Sequence, residues 1–331
     1  MDEINKVLIY RTDRYGDFLI SAPFMKSLKF KYPNIKMHVI CSYYNAEFIK
    51  TFSFVDEVFI YRDGFINRFL MIFEFFFKKY SLIFILDGKR RSLFHSIFLR
   101  GKSYYLIKNP FLIRFCNFFN MSFVINSESD TQLNSFNHLA NLLDFNINKF
   151  NIYEKYKFHH NNIVLPKKFV LLHLDEKWFK KFYYHDYTDI NPTLNDIVKI
   201  LKFILNNNKV LKIVVTTGVK ENKIIKNLNT YLKKNKKFST SIYILSRTNF
   251  FEMQYIVSKC NSLICCEGGI SHVSNYFKKP TIALYEKNRL DFYLYWTGHM
   301  KNIILHPREN IKFIVKNNSF FFDKLKLLLR N

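Results

Sequence analysis

Apolar residues along this chain come in short unbroken runs, and most runs are followed by a stretch with helical spacing. Residues 6–10 read as a strand, closed by a polar turn over 11–17. Over 18–32, Leu19, Ala22, Met25 and Leu28 recur on one helical face, with Pro23 predicted to sit in the first turn or at a kink. Strands are predicted at 37–41 and 57–61, with a short helix at 45–52 between them. An aromatic-rich helix follows at 65–79, and then a fully apolar strand, 81–86, ends at Asp87-Gly88. An amphipathic helix covers 134–145. The alternation restarts at 169–174 and, after a long turn over 175–192, continues with strands at 210–215, 241–245, 262–266 and 280–285. Helices lie between them at 195–206, 219–234 and 249–259, and a last helix runs over 311–329.

Continuous apolar strands alternating with helices predict an α/β fold whose parallel sheets are covered on both faces. The polar segment 146–168 has the composition of a linker, so two successive α/β halves are expected: domains at 1–150 and 168–310. The tail, 311–331, is expected to pack back on the N-terminal domain. Ligands of such sheets bind beyond the C-terminal ends of the strands, which puts 11–17 and 87–91 on the functional edge.

Composition narrows this picture a little. A chain of 331 residues, 49% hydrophobic, builds real cores. The 38 Phe and 21 Tyr, beside many Lys, Asn and Ile, have the look of codon bias. The net charge of +25 favours anionic partners without choosing between nucleic acid, lipid headgroups and phosphorylated glycans. No recognition helix, zinc finger or RNA-binding motif accompanies it, so nucleic acid is not the expected partner. Five cysteines without metal spacing fit reduced thiols in a cytoplasm, and His159-His160 lacks a third ligand and reads as loop. The N-terminus is no signal peptide, and no uncharged run reaches a spanning length. From 88 to 127 there is no acidic residue, while Lys89, Arg90, Arg91, Arg100, Lys102, Lys108 and Arg114 alternate with aromatics. That stretch suits a membrane surface or an anionic acceptor, or else its aromatics are core and its bases outer face.

Two turns carry candidate chemistry. Cys265-Cys266-Glu267-Gly268-Gly269-Ile270-Ser271-His272 is a strand, an acid, two glycines and a helix start, the arrangement that cradles phosphate. The same pattern also fits a tight turn with a satisfied histidine. Near the N-terminus, Asp13 and Asp17 follow the first strand. Asp17, after Gly16, is placed to act as a general base or to cap the next helix. The first strand lacks the G-x-G-x-x-G fingerprint, which argues against a dinucleotide oxidoreductase.

The opening, Val7-Leu8-Ile9-Tyr10-Arg11 through Gly16-Asp17-Phe18 to Pro23, then Lys31-Tyr32-Pro33, resembles that of glycosyltransferase family 9, the ADP-heptose:lipopolysaccharide heptosyltransferases. Phe251-Glu252, Glu267-Gly268-Gly269-Ile270-Ser271-His272 and Pro280-Thr281-Ile282-Ala283-Leu284-Tyr285 match later family motifs in order. The family's Asp-Thr-Gly is here Glu267-Gly268-Gly269. Its Gly-Pro-Thr is replaced by Glu286-Lys287-Asn288, and its Lys before Trp-Pro is displaced into Asp175-Glu176-Lys177-Trp178. The resemblance implies a GT-B architecture, two Rossmann-like domains facing across a cleft, and inverting, metal-independent transfer with no cofactor. Asp17 would be the catalytic base. Arg11, Arg14, Lys89, Arg90 and Arg91 would hold a lipid-linked or phosphorylated glycan acceptor. Lys177, Thr217, Gly218, Glu267, Gly268, Gly269 and His272 would hold the donor, ADP-heptose or another nucleotide sugar. The protein would work in the cytoplasm, at the inner membrane surface. A catalytically silent glycan- or nucleotide-binding protein of the same fold is the alternative.

Overall fold

A computed structural model describes residues 4–107, 114, 118, 122–125, 131–147, 152–153, 156, 158, 163–179, 192–208, 211–308 and 319–330. The chain divides into two compact units, Met1–Lys157 and Phe158–Asn331.

In the first unit, β1 (Lys6–Arg11), β2 (Lys36–Cys41), β3 (Glu57–Ile60), β4 (Leu82–Ile85), β5 (Lys102–Ile107) and β6 (Ser122–Ile125) form one parallel sheet in the order β3-β2-β1-β4-β5-β6. The central strand is apolar on both faces, and Val7, Leu8, Ile9 and Tyr10 are fully buried. The helix Tyr15–Lys31 lays Phe18, Leu19, Phe24, Met25 and Leu28 into the core. It begins earlier than its apolar spacing predicts, because the Asp17 side chain accepts the Arg14 N–H (3.0 Å) and extends the helix by a capped turn. Pro23 is therefore well inside the helix.

The basic, aromatic stretch resolves into the helix Arg90–Ile97 and the strands β5 and β6. Tyr104 and Tyr105 are core, as the alternative reading of that stretch has it, whereas Phe94 and Phe98 are exposed. Lys108, Phe111, Phe115, Phe119 and the histidine pair at 159–160 lie outside the described residues.

The second unit repeats the plan. β7 (Phe169–His173), β8 (Lys212–Thr216), β9 (Ile242–Leu245), β10 (Ser262–Cys266), β11 (Thr281–Tyr285) and β12 (Ile303–Pro307) pair in the order β12-β11-β10-β7-β8-β9, all parallel. The last helix is Ser319–Arg330. Leu325, Leu328 and Leu329 are buried in one cluster with Ile200 and Ile204 of the helix Leu194–Asn207, and Phe322 meets Phe203 at 4.3 Å between ring centres. Its apolar face covers the second unit's own sheet. No described helix is long and apolar enough to cross a membrane.

Candidate functional site

Both sheets have the strand order 3-2-1-4-5-6, counting within each unit. Strand order reverses between β1 and β4 in the first and between β7 and β10 in the second. Beyond such switch points the loops diverge and leave a crevice, the usual ligand position in open α/β sheets.

At the β1/β4 switch point, charged groups converge from two turns. Arg11 is almost wholly buried and donates from Nε, and also from Nη2, to the Asp17 carbonyl. Its Nη1 donates to the Leu86 carbonyl (2.5 Å) and pairs with Asp13 (3.2 Å). The chain leaves β4 through Asp87 and Gly88, which turns with φ 61°. The Asp87 carboxylate accepts from the Thr12 hydroxyl (2.6 Å), the Ser92 hydroxyl (2.7 Å) and the Lys89 N–H (3.2 Å). The Lys89 ammonium donates to the Thr12 carbonyl (2.8 Å), and Arg91 bridges Asp63 (3.2 Å) and the Thr12 hydroxyl (3.4 Å). Burial pushes the Asp13 carboxyl up to about 7; Arg11 and Lys89 oppose that rise, while Asp17 and Asp87 add to it. Burial lowers the Lys89 ammonium despite Asp13 and Asp87 nearby. A buried carboxyl raised toward neutrality at a strand end marks a place suited to proton chemistry.

At the β7/β10 switch point, the turn Glu267-Gly268 meets Lys177. The Lys177 ammonium donates to the Glu267 carbonyl, and a Cβ on Gly268 would fall on that same nitrogen, so glycine there makes room for lysine. The helix Gly269–Tyr276 starts at this point. Its first turn is tied by Ser271, whose Oγ donates to the Gly268 carbonyl (2.6 Å) and accepts the Gly268 N–H (3.1 Å). Glu267 and His272 approach to 3.7 Å, both largely buried. Asp175 accepts the Lys177 N–H (3.2 Å); its burial, partly offset by Lys177, raises it to about 6. Arg308 donates to the Lys177 carbonyl (2.8 Å) from just past β12. An ammonium, a guanidinium and a helix N-terminus thus gather at one strand end, an arrangement suited to a diphosphate.

The structure therefore groups Lys177, Glu267, Gly268, Gly269 and His272, and separately Arg14, Asp17, Lys89 and Arg91. Arg90 is exposed on the helix Arg90–Ile97. Two residues take other parts. Arg11 is sealed under the turn and braces Asp17 from behind, so it does not face an acceptor. Thr217 is fully buried, its hydroxyl spent on the Gly218 carbonyl (2.9 Å) and the Arg247 N–H (2.8 Å), which ties the loops after β8 and β9 together. Gly218 has open space where a side chain would stand. Asp87 was legible as a strand-end acid. Arg308 was missed, since no strand was read before it.

The family model described as glycosyltransferase family 9 (heptosyltransferase) matches residues 199–320. No curated protein matches by sequence. Among solved structures, the chain is similar to E. coli heptosyltransferase WaaC with ADP-2-deoxy-2-fluoro heptose, at TM-score 0.69 and 12% identity over 98% of this chain and 99% of that one. It is similar to E. coli ADP-heptose lps heptosyltransferase II at TM-score 0.67 and 14% identity, with 98% of each chain covered. A Veillonella parvula glycosyl transferase family 9 structure gives TM-score 0.64 and 13% identity over 99% and 98%. The two sheets are those of the GT-B glycosyltransferase fold. The family model thus matches part of the second unit, and the fold along the chain's length is that of heptosyltransferase structures.

Proposed function

We propose that this protein is an inverting, metal-independent glycosyltransferase that moves a heptose-like sugar from a nucleotide-diphosphate donor to a lipopolysaccharide core or another surface-glycan acceptor. The observation that carries the reading is the placing of Lys177 on the Gly268 turn, at the switch point of a sheet whose unit matches the family model. There Lys177 and the helix start at Gly269 offset the charge that builds on a departing diphosphate. Arg308 steadies Lys177 through its carbonyl.

In the first unit, Asp17 takes the proton from the acceptor hydroxyl as that oxygen attacks the anomeric carbon. Asp17 stands in the first turn of its helix, with Arg11 on its carbonyl and the Arg14 N–H on Oδ2. These contacts fix where the carboxylate points. Arg14, Lys89 and Arg91 attract the anionic groups of a phosphorylated, lipid-linked acceptor at the inner face of the cytoplasmic membrane. Asp13, which burial raises to about 7, shares this turn with Asp17.

The alternative, a silent binding protein, draws support from Glu267, whose carboxylate lies toward His272. Release of ADP from ADP-heptose, with lipopolysaccharide core acceptor and a chelator present, separates the two. Wild type should turn over, and Asp17→Asn should lose roughly 100-fold or more in kcat with ADP affinity within a few fold. Equal binding with no turnover in either protein would select the silent reading.

A further inference from the structure

The helix Phe65–Phe76 is apolar on two sides. Met71 and Phe75 enter the core with Tyr61, Tyr80 and Leu93. Phe65, Ile66, Phe69, Leu70, Phe73 and Phe77 are exposed, between 53% and 87%, and their spacing sets them on one arc opposite Met71 and Phe75. Scattered exposed apolar residues need no explanation, but six on a single helical arc make a patch that requires a partner.

We propose that this face lies in the headgroup layer of an anionic lipid bilayer. The helix has 12 residues, too short to span, and its arc carries rings and branched aliphatics without a charge. Cations border it. Arg62 and Arg68 are exposed and Lys79 follows the helix, while the Arg100 guanidinium sits 4.8 Å from the Phe76 ring centre. The acids here, Asp63 and Glu74, are each shared by two cations: Arg68 and Arg91 on Asp63, Arg62 and Lys78 on Glu74. Phe94 and Phe98, ring against ring at 5.1 Å, add exposed aromatics on the neighbouring helix, whose Leu93 and His95 pack beside Met71 and Phe75. A second copy of this chain would bring another strongly basic surface against the first. An anionic membrane answers both the rings and the charge.

The face also has an address. Asp63, just before the helix, holds Arg91, and Arg91 reaches the Thr12 hydroxyl at the β1/β4 switch point. A bilayer on this arc would thus place a lipid-borne hydroxyl close to the Asp13–Asp17 turn. The inference rests on the proposed acceptor only for its purpose; the docking itself stands without transfer.

The test is co-sedimentation of the full chain with vesicles of equal parts phosphatidylglycerol and phosphatidylethanolamine, against phosphatidylcholine alone. Wild type should bind the anionic vesicles, more weakly at high salt, and the double variant Phe69→Ser/Phe73→Ser should lose at least about tenfold in partitioning with its melting temperature unchanged. In parallel, Phe73→Trp should give a blue-shifted emission on adding anionic vesicles, a readout that needs no loss of function. Absence of wild-type binding, equal binding by the double variant, or an unshifted Phe73→Trp would each overturn the proposal. So would a dimer in sedimentation that the double variant dissolves. An ADP thermal shift on the same samples reports the donor site separately, so failure here and failure of the transferase reading are told apart.

Discussion

Lys177 and Gly268 form one device, because the space a glycine leaves is the space an ammonium fills. Gly268→Ala would both push the lysine's flexible end and strain a backbone held at φ 158°, so the fold should lose about 1–3 kcal/mol. The ammonium would have to leave its seat, and ADP affinity should fall roughly tenfold, as in Lys177→Met. The double variant should then be no worse than either single one, since both remove the same interaction. Additive losses, read by calorimetric ADP titration, would mean that glycine and lysine act separately. The residue types at this turn were legible in the sequence, as strand, acid, glycines and helix start. What the sequence hid was side-chain direction. Arg11 and Arg14 read alike in the sequence, yet one is sealed beneath the turn and the other is exposed. Thr217 had the look of a strand-end hydroxyl and is consumed by neighbouring backbone.

At the scale of elements, apolar runs revealed every strand that is buried on both faces and is rich in Val, Ile or Leu. β5, β6 and β12 escaped. β5 is Lys-Ser-Tyr-Tyr-Leu-Ile inside a basic, aromatic stretch whose rings suit helix or strand equally, and β6 and β12 are edge strands of four and five residues. The last helix was legible as a helix, but periodicity marks an apolar face and not what covers it. Its place makes Leu325 a core residue of the second unit, fully buried. Leu325→Ala should therefore cost about 2–4 kcal/mol in urea unfolding. A loss under about 0.5 kcal/mol would show the helix to be a loosely attached tail.

The whole molecule should weaken in acid, and the sign follows from which groups burial holds uncharged. His95, His299 and His306 are lowered by burial to about 4 and His173 to about 3, and His38 shifts the same way. Unfolded histidine takes its proton near 6.5, so below that pH the unfolded chain gains protons that the folded one refuses. Their contribution is complete above about 6.5 and is lost as pH falls toward 4. Asp13 and Asp175 act in the opposite sense. Raised to about 7 and about 6, they are protonated in the fold while still ionised in the unfolded chain, so their contribution is present in acid and lost as pH rises. His95, His173, His299 and His306 against the two carboxyls leave a net of about two protons, or roughly 3 kcal/mol of stability per pH unit between about 4.5 and 6. Urea unfolding at several pH values should show that fall. Asp13→Asn removes one of the two opposing groups, so its slope should be steeper than wild type by about 1 kcal/mol per pH unit over the same window, whatever its offset from losing the Arg11 contact. Parallel slopes would mean that Asp13 is ionised throughout, and would leave Asp17 without a neutral carboxyl beside it.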